Sequence, residues 1–242
     1  MAKKNQTVQH SNWDRGTMFG ANMSFAAAEA YKLLRTNIMF SFAEDRCHIF
    51  GVTSATSGEG KSLTACNIAY SLAEAGKKVL LLDGDLRLPT VASKLELKAE
   101  PGLTNLLISH EDYHRMVQRC PDAPDLDVIT AGAPSPNPSE LLGSARMEEL
   151  MEQITRDYEY VVVDLPPVTV VSDALVVSKL LHGVIMVVRN GVVEEKMLAD
   201  AMRQLRMVDL RVLGFVYNGS LAGDKNYRKN YYKHYGGGKS RK

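Results

Sequence analysis

The chain has 242 residues, 45% of them apolar and 24% charged, which fits an ordinary globular protein of one large or two small domains. Its three cysteines, Cys47, Cys66 and Cys120, are too widely spaced for a disulfide framework or a metal cluster and fit a reducing compartment. The net charge of +1 hides an asymmetry: Asp224–Lys242 carries seven Lys and Arg against one Asp, a net +6, which leaves −5 on the rest. A basic end on an acidic body reads as an interaction tail for anionic lipid, an acidic protein face or nucleic acid.

Residues 1–22 are polar and aperiodic and read as a flexible arm. The opening MAKKNQTVQH has no hydrophobic stretch after its lysines, so it is not a secretory signal. No apolar run approaches the roughly 18 residues that span a bilayer. From 24 to 40 an uninterrupted helical pattern, free of Gly and Pro, begins a domain expected over 23–222. Short Val-, Ile- and Leu-rich runs follow at 48–54, 79–82, 126–130, 160–163, 184–188 and 212–217, as expected of strands covered on both faces. Helix-like segments separate them at 62–75, 138–156, 172–181 and 193–208, and 90–125 reads as short helices and loops. Gly76 stands where a helix C-terminal glycine belongs. Asn137-Pro138-Ser139-Glu140 has the form of a helix start. The alternation predicts an α/β fold of three layers, a mostly parallel central sheet flanked by helices.

Chemistry enters at Ala55-Thr-Ser-Gly-Glu-Gly-Lys-Ser62, between the first strand and the second helix. Gly58 and Gly60 let backbone amides converge on a polyphosphate, and the following helix adds its positive N-terminal end. Lys61 would reach the terminal phosphates and Ser62 would ligate Mg²⁺. The expected ATP contacts are Ser57, Gly58, Glu59, Gly60, Lys61, Ser62 and Leu63, with Asn218 at the end of the last strand as a candidate for the base. Ala55 stands where the standard motif has glycine. Two further strands end in acids, at Asp83-Gly84-Asp85 and at Asp164-Leu165-Pro166-Pro167, where ligands bind in open α/β sheets. One or two of these acids would hold Mg²⁺ or its waters, and another would accept a proton from an incoming nucleophile. The residues alone leave the division between Asp83 and Asp85 open.

The tail 223–242 is basic and tyrosine-rich: Tyr227, Tyr231, Tyr232 and Tyr235 are four of the ten tyrosines in the chain. Interleaved aromatic and basic side chains can stack on bases and contact phosphates. They can equally form a modification array. Phosphorylation adds roughly −1.5 to −2 per tyrosine, enough on four sites to reverse the charge of the tail.

Together SGEGKS at 57–62, LLLDGDLR at 80–87, SPNPSELL at 135–142, VVVDLPP at 161–167 and the tyrosine cluster resemble the bacterial tyrosine kinases that govern capsule and exopolysaccharide synthesis. The resemblance covers about residues 24–235. It implies a P-loop NTPase fold, ATP and Mg²⁺ as cofactors, and catalytic roles for Lys61, Asp83, Asp85 and Asp164. Ser62, Asp85 and Asp164 would hold the metal, and Asp83 would be the base toward tyrosine hydroxyl. Tyr227, Tyr231, Tyr232 and Tyr235 would be phosphorylated between subunits of a homo-oligomer, an octameric ring being one form, with Glu29 and Arg35 at its interface. It further implies a cytoplasmic protein held at the inner membrane face by a transmembrane polysaccharide co-polymerase that activates it. A cognate phosphotyrosine phosphatase and polysaccharide-synthesis enzymes would be further partners, and no nucleic acid is expected. Two rival readings are an ATPase similar to the MinD/ParA proteins, whose signature lysine is replaced here by Thr56, and a noncatalytic ATP-binding scaffold.

Overall fold

A computed structural model describes residues 23–42, 47–109, 111–120 and 123–219. The 1–22 arm and the whole 223–242 tail, with Tyr227, Tyr231, Tyr232 and Tyr235, lie outside the described residues. Seven strands form one sheet: β1 (His48–Ser54), β2 (Val79–Asp83), β3 (Gln118–Cys120), β4 (Ala123–Ile129), β5 (Tyr160–Asp164), β6 (Val184–Arg189) and β7 (Val212–Asn218). Their order is β3-β4-β2-β5-β1-β6-β7. Every pairing is parallel except β3 with β4.

Alternation along the central strands divides the core into two layers, because successive side chains point to opposite faces. Phe50, Val52, Leu81, Val162, Ile185 and Val187 pack with α1 (Phe25–Ser41) and α2 (Lys61–Glu74). Leu80, Leu82, Val161, Val163, Val184 and Met186 pack with α4 (Leu103–Ser109), α6 (Ala145–Ile154) and α8 (Glu195–Met207). β1, β2 and β5 are buried at every position, which explains their continuous apolar runs. Ser24 Oγ accepts the Ala27 N–H to cap α1, and Gly76, at φ 76°, closes α2 as expected. Among the described residues no helix is long and apolar enough to cross a membrane.

Three segments differ from the expectation. The 138–156 helix is two, α5 (Pro138–Leu142) and α6, because Gly143 ends the first and the Ser144 hydroxyl caps the second by accepting the Met147 N–H at 3.3 Å. Asn137 makes no side-chain cap; its Nδ2 donates to Glu140 Oε2 at 2.7 Å instead. The 172–181 helix is one turn of α-helix, α7 (Asp173–Val176), tightening into a 3₁₀ turn at Val177–Leu180. Within 90–125 the short helices α3 (Val91–Lys94) and α4 and a 3₁₀ turn at Tyr113–Arg115 are as expected, and the edge strand β3 is not.

The entry to α4 is packed against the end of β4: Leu103 N–H donates to Thr130 O at 2.7 Å and Thr104 N–H to Ala131 O at 2.9 Å. A Cβ on Gly102 would press into Thr130 O and lie 2.5 Å from Gly132 N. Both obstacles are backbone and cannot rotate aside. Gly102→Ala is therefore expected to lower stability by about 3 kcal/mol or more, read as a shift in the urea midpoint at unchanged m-value.

Candidate functional site

The three strands that end in the motif segments are neighbours. β5 pairs with β1 on one side and β2 on the other, and Asp83 and Asp164 are register partners across β2 and β5. The loop after β1 and both acidic turns therefore open on one rim of the sheet.

The loop from Ser54 to Gly60 is shaped from within. Gly60 caps α2 at φ 93°, a left-handed conformation suited to glycine. A side chain there would also collide with Asn218 Nδ2. Glu59 is fully buried. Its Oε1 accepts the Thr56 N–H at 2.6 Å and its Oε2 accepts the Arg189 N–H at 3.1 Å. Arg189 Nη1 donates to Gly58 O at 2.9 Å, and Asn218 Nδ2 to Glu59 O at 3.1 Å. Register partners on β6 and β7, Arg189 and Asn218 thus hold the loop from one side. From the other, Thr169 Oγ1 donates to Ala55 O at 2.7 Å. Ala55 is buried and is not among the residues with positive φ, so alanine fits where the common motif has glycine.

At the mouth, Lys61 Nζ donates to Asp85 Oδ2 at 2.6 Å and lies 3.6 Å from Asp164 Oδ1 and 3.2 Å from Ser62 Oγ. Asp85 Oδ1 accepts the Leu88 N–H at 3.0 Å. Asp83 accepts the Asp85 N–H at 3.3 Å on Oδ1 and the Val91 N–H at 3.2 Å on Oδ2. Asp83 and Asp164 are fully buried. The two carboxylate oxygens of Asp164 accept no hydrogen bond of normal length. Burial raises the Asp164 pKa to about 6 against the opposing pull of Lys61. Burial, reinforced by Asp164, holds Asp83 well above the usual carboxylate range. Burial of Lys61 works to lower its pKa, but Asp164, Asp85 and Asp83 outweigh it and the ammonium is held above its ordinary value.

This donor set fits Mg²⁺. A hard cation takes one or two carboxylates and a hydroxyl, completing its shell with phosphate and water oxygens. Ser62, Asp85 and Asp164 supply those groups, and the two unsatisfied acceptors of Asp164 are what a cation would satisfy. Among the described residues no three His, Cys, Asp or Glu side chains make a self-sufficient cage, so phosphate oxygens would complete the site.

The structure thus brings Lys61, Ser62, Asp83, Asp85 and Asp164 together, with Ser57 and Gly58 exposed on the rim and Leu63 half-buried. The Glu59 side chain is a brace, and only its backbone amide is available to a nucleotide. Asn218 lies against the loop backbone at Glu59 and Gly60. On α1, Glu29 pairs with Lys32 at 2.9 Å. Arg35 donates to Ser71 O at 2.7 Å and approaches Glu74 at 3.6 Å, holding α1 to α2 within the chain. Residues not singled out beforehand also surround the site. Arg87, Ser139 and Asp173 form a bonded group beside Asp85. Arg87 and Ser139 stand inside motifs, whereas Asp173 carries no sequence signal beyond being an acid in the first turn of a helix.

A protein-family description, ParA, "NUBPL iron-transfer P-loop NTPase", matches residues 46–242. The chain is 38% identical over 192 residues to the tyrosine-protein kinase YwqD of Bacillus subtilis, covering 79% of this chain and 81% of that one. It is 33% identical over 191 residues to the tyrosine-protein kinase CpsD of Streptococcus agalactiae, covering 78% and 81%. Among solved structures, the kinase domain of Escherichia coli tyrosine kinase ETK superposes with a TM-score of 0.76 at 34% identity, covering 80% of this chain and 75% of that one.

Two outcomes test the site's internal forces. Asp83 and Asp164 have folded pKa values raised above an unfolded carboxylate near 4. The stability they contribute is full below that unfolded value and is lost as pH rises through the folded values, about 6 for Asp164. In EDTA without nucleotide, the melting temperature is expected to fall as pH rises from 5 to 7.5, with a shallower fall in Asp164→Asn. Separately, Glu59→Ala leaves the amides of Thr56 in the loop and Arg189 on β6 without their acceptor and is expected to cost about 2–4 kcal/mol, measured by denaturant unfolding.

Proposed function

The chain belongs to the ParA-type P-loop NTPases and, within them, to the bacterial tyrosine-protein kinases, and on that premise we propose that it transfers the terminal phosphoryl group of Mg²⁺–ATP to tyrosines of its own tail, between subunits. The observation that carries this reading is the convergence of Asp85 and Asp164 on Lys61 at the start of α2, 2.6 and 3.6 Å from its ammonium.

Each residue has a task that its surroundings support. The loop amides and the N-terminus of α2 bind the phosphates. Lys61 exchanges Asp85 for phosphate oxygen and stabilises the negative charge as the group moves. Ser62, Asp85 and Asp164 would hold Mg²⁺, which would supply charge neutralisation at the terminal phosphates. Asp83 takes the proton from the attacking tyrosine hydroxyl; its raised pKa makes it a better base than an ordinary aspartate. Both its oxygens accept backbone amides, so it must exchange one of these bonds for the hydroxyl. Tyr227, Tyr231, Tyr232 and Tyr235 are the acceptors, and a net charge of +6 over Asp224–Lys242 favours their approach to a carboxylate-lined mouth.

In the same reading the protein is cytoplasmic and is drawn to the inner membrane face by a transmembrane polysaccharide co-polymerase that activates it. It forms a homo-oligomer, is reversed by a phosphotyrosine phosphatase and also modifies polysaccharide-synthesis enzymes, thereby regulating capsule or exopolysaccharide production.

Purified protein incubated with ATP and Mg²⁺, with and without the cytoplasmic end of the activator, is expected to carry phosphate on tyrosines within 227–235 by mass spectrometry. Lys61→Met is expected to label nothing by itself yet to be labelled by an active copy. Normal ATP hydrolysis with no labelled tyrosine in either condition would contradict the kinase reading and leave a MinD/ParA-like ATPase.

A further inference from the structure

SPNPSELL at 135–142 and the arginine of LLLDGDLR have no task in the scheme above. The structure joins them. Arg87 Nε donates to Asp173 Oδ2 at 2.8 Å and Nη2 to Asp173 Oδ1 at 3.0 Å, a two-pronged guanidinium–carboxylate pair. Nη2 also donates to Ser139 Oγ at 3.0 Å, and the Ser139 hydroxyl donates in turn to Asp173 Oδ1. Three segments that are distant in the chain meet here: the turn after β2, α5, and α7 beyond the β5 loop.

The burial of the partners is unequal. Asp173 is fully buried, whereas the Arg87 side chain is 38% exposed. A buried carboxylate without its counter-ion is strongly destabilising, so Asp173 fixes Arg87 and with it the main chain of the turn. The next residue, Leu88, donates its N–H to Asp85 Oδ1. That bond ties back one carboxylate oxygen and leaves Oδ2 directed at Lys61. A loosened turn frees Asp85 to rotate away from the phosphate side.

We propose that Arg87 is a positioning residue, held by Asp173 and Ser139, that aims Asp85 at the metal–nucleotide position and so sets the strength of Mg²⁺-dependent nucleotide binding. This rests on the assignment of Asp85 as a metal ligand. Arg87 itself touches neither Lys61 nor Asp164; it acts through the turn.

The test is equilibrium binding of the fluorescent analogue mant-ATP to the full chain, titrated with Mg²⁺ and repeated in EDTA. Arg87→Lys keeps the charge but cannot make the planar fork. It is expected to raise the Mg²⁺ concentration for half-maximal binding about tenfold, with affinity in EDTA unchanged. Ser139→Ala leaves the Arg87–Asp173 fork in place and is expected to shift the Mg²⁺ midpoint less, in the same direction; it carries the test if Arg87→Lys fails to fold. A wild-type Mg²⁺ midpoint in both folded variants, or equal losses in Mg²⁺ and EDTA that track a lowered melting temperature, would overturn the proposal. Binding by the wild type that ignores Mg²⁺ would overturn it too. Absence of tyrosine labelling with Mg²⁺-dependent binding intact would count against the kinase reading alone.

Discussion

The organising constraint is a charge imbalance at the strand tips: Asp83, Asp85 and Asp164 are buried around one lysine. Lys61 bonds Asp85 directly and lies near Asp164, while Asp83 accepts two backbone amides and feels Lys61 only through space. Burying carboxylates is costly unless cations or hydrogen bonds compensate them. The raised pKa values of Asp83 and Asp164 are the local expression of that cost. A site of this kind stores a preference for an added cation. Magnesium carried with nucleotide phosphate is the cation whose ligand requirements the surrounding oxygens meet.

The remaining architecture keeps that imbalance in place. The parallel sheet puts Asp83 and Asp164 in register on adjacent strands, and β1 delivers the loop beside them. Glu59 then fixes the loop through Thr56 and Arg189, and Asn218 donates to the Glu59 carbonyl. Arg87 ties the Asp85 turn to Asp173 and Ser139 on neighbouring segments. Rigid support of this sort is what lets charged groups act without rearranging during the chemistry.

Much of this was legible in the sequence, for a physical reason. Strands buried on both faces must be apolar throughout, so the runs containing Val52, Leu81, Val162 and Val187 marked the sheet directly. Lys61, Ser62 and the three strand-end acids were legible because phosphate chemistry requires those residue types in local patterns. The edge strand Gln118–Cys120 was not, since it has one buried residue and is defined only by its pairing with β4. The split between α5 and α6 turned on Gly143 and the Ser144 cap, a local signal overridden by the apolar pattern on either side. Asp173 was invisible because its partner Arg87 lies 86 residues away, and no local pattern records such a pair. Nor could Glu59 be read as an internal brace, because the direction of its side chain depends on Arg189 arriving from another strand.

The most direct measurement is a carboxyl-carbon NMR titration of the aspartates, alone and with Mg²⁺ and ADP. The account predicts that Asp164 titrates near pH 6 by itself, about the value its burial imposes, and falls below the ordinary carboxylate range once metal and nucleotide are bound. An Asp164 whose titration is unmoved by Mg²⁺–ADP, with binding shown to be saturated, would contradict the claim that these buried carboxylates are arranged for a cation.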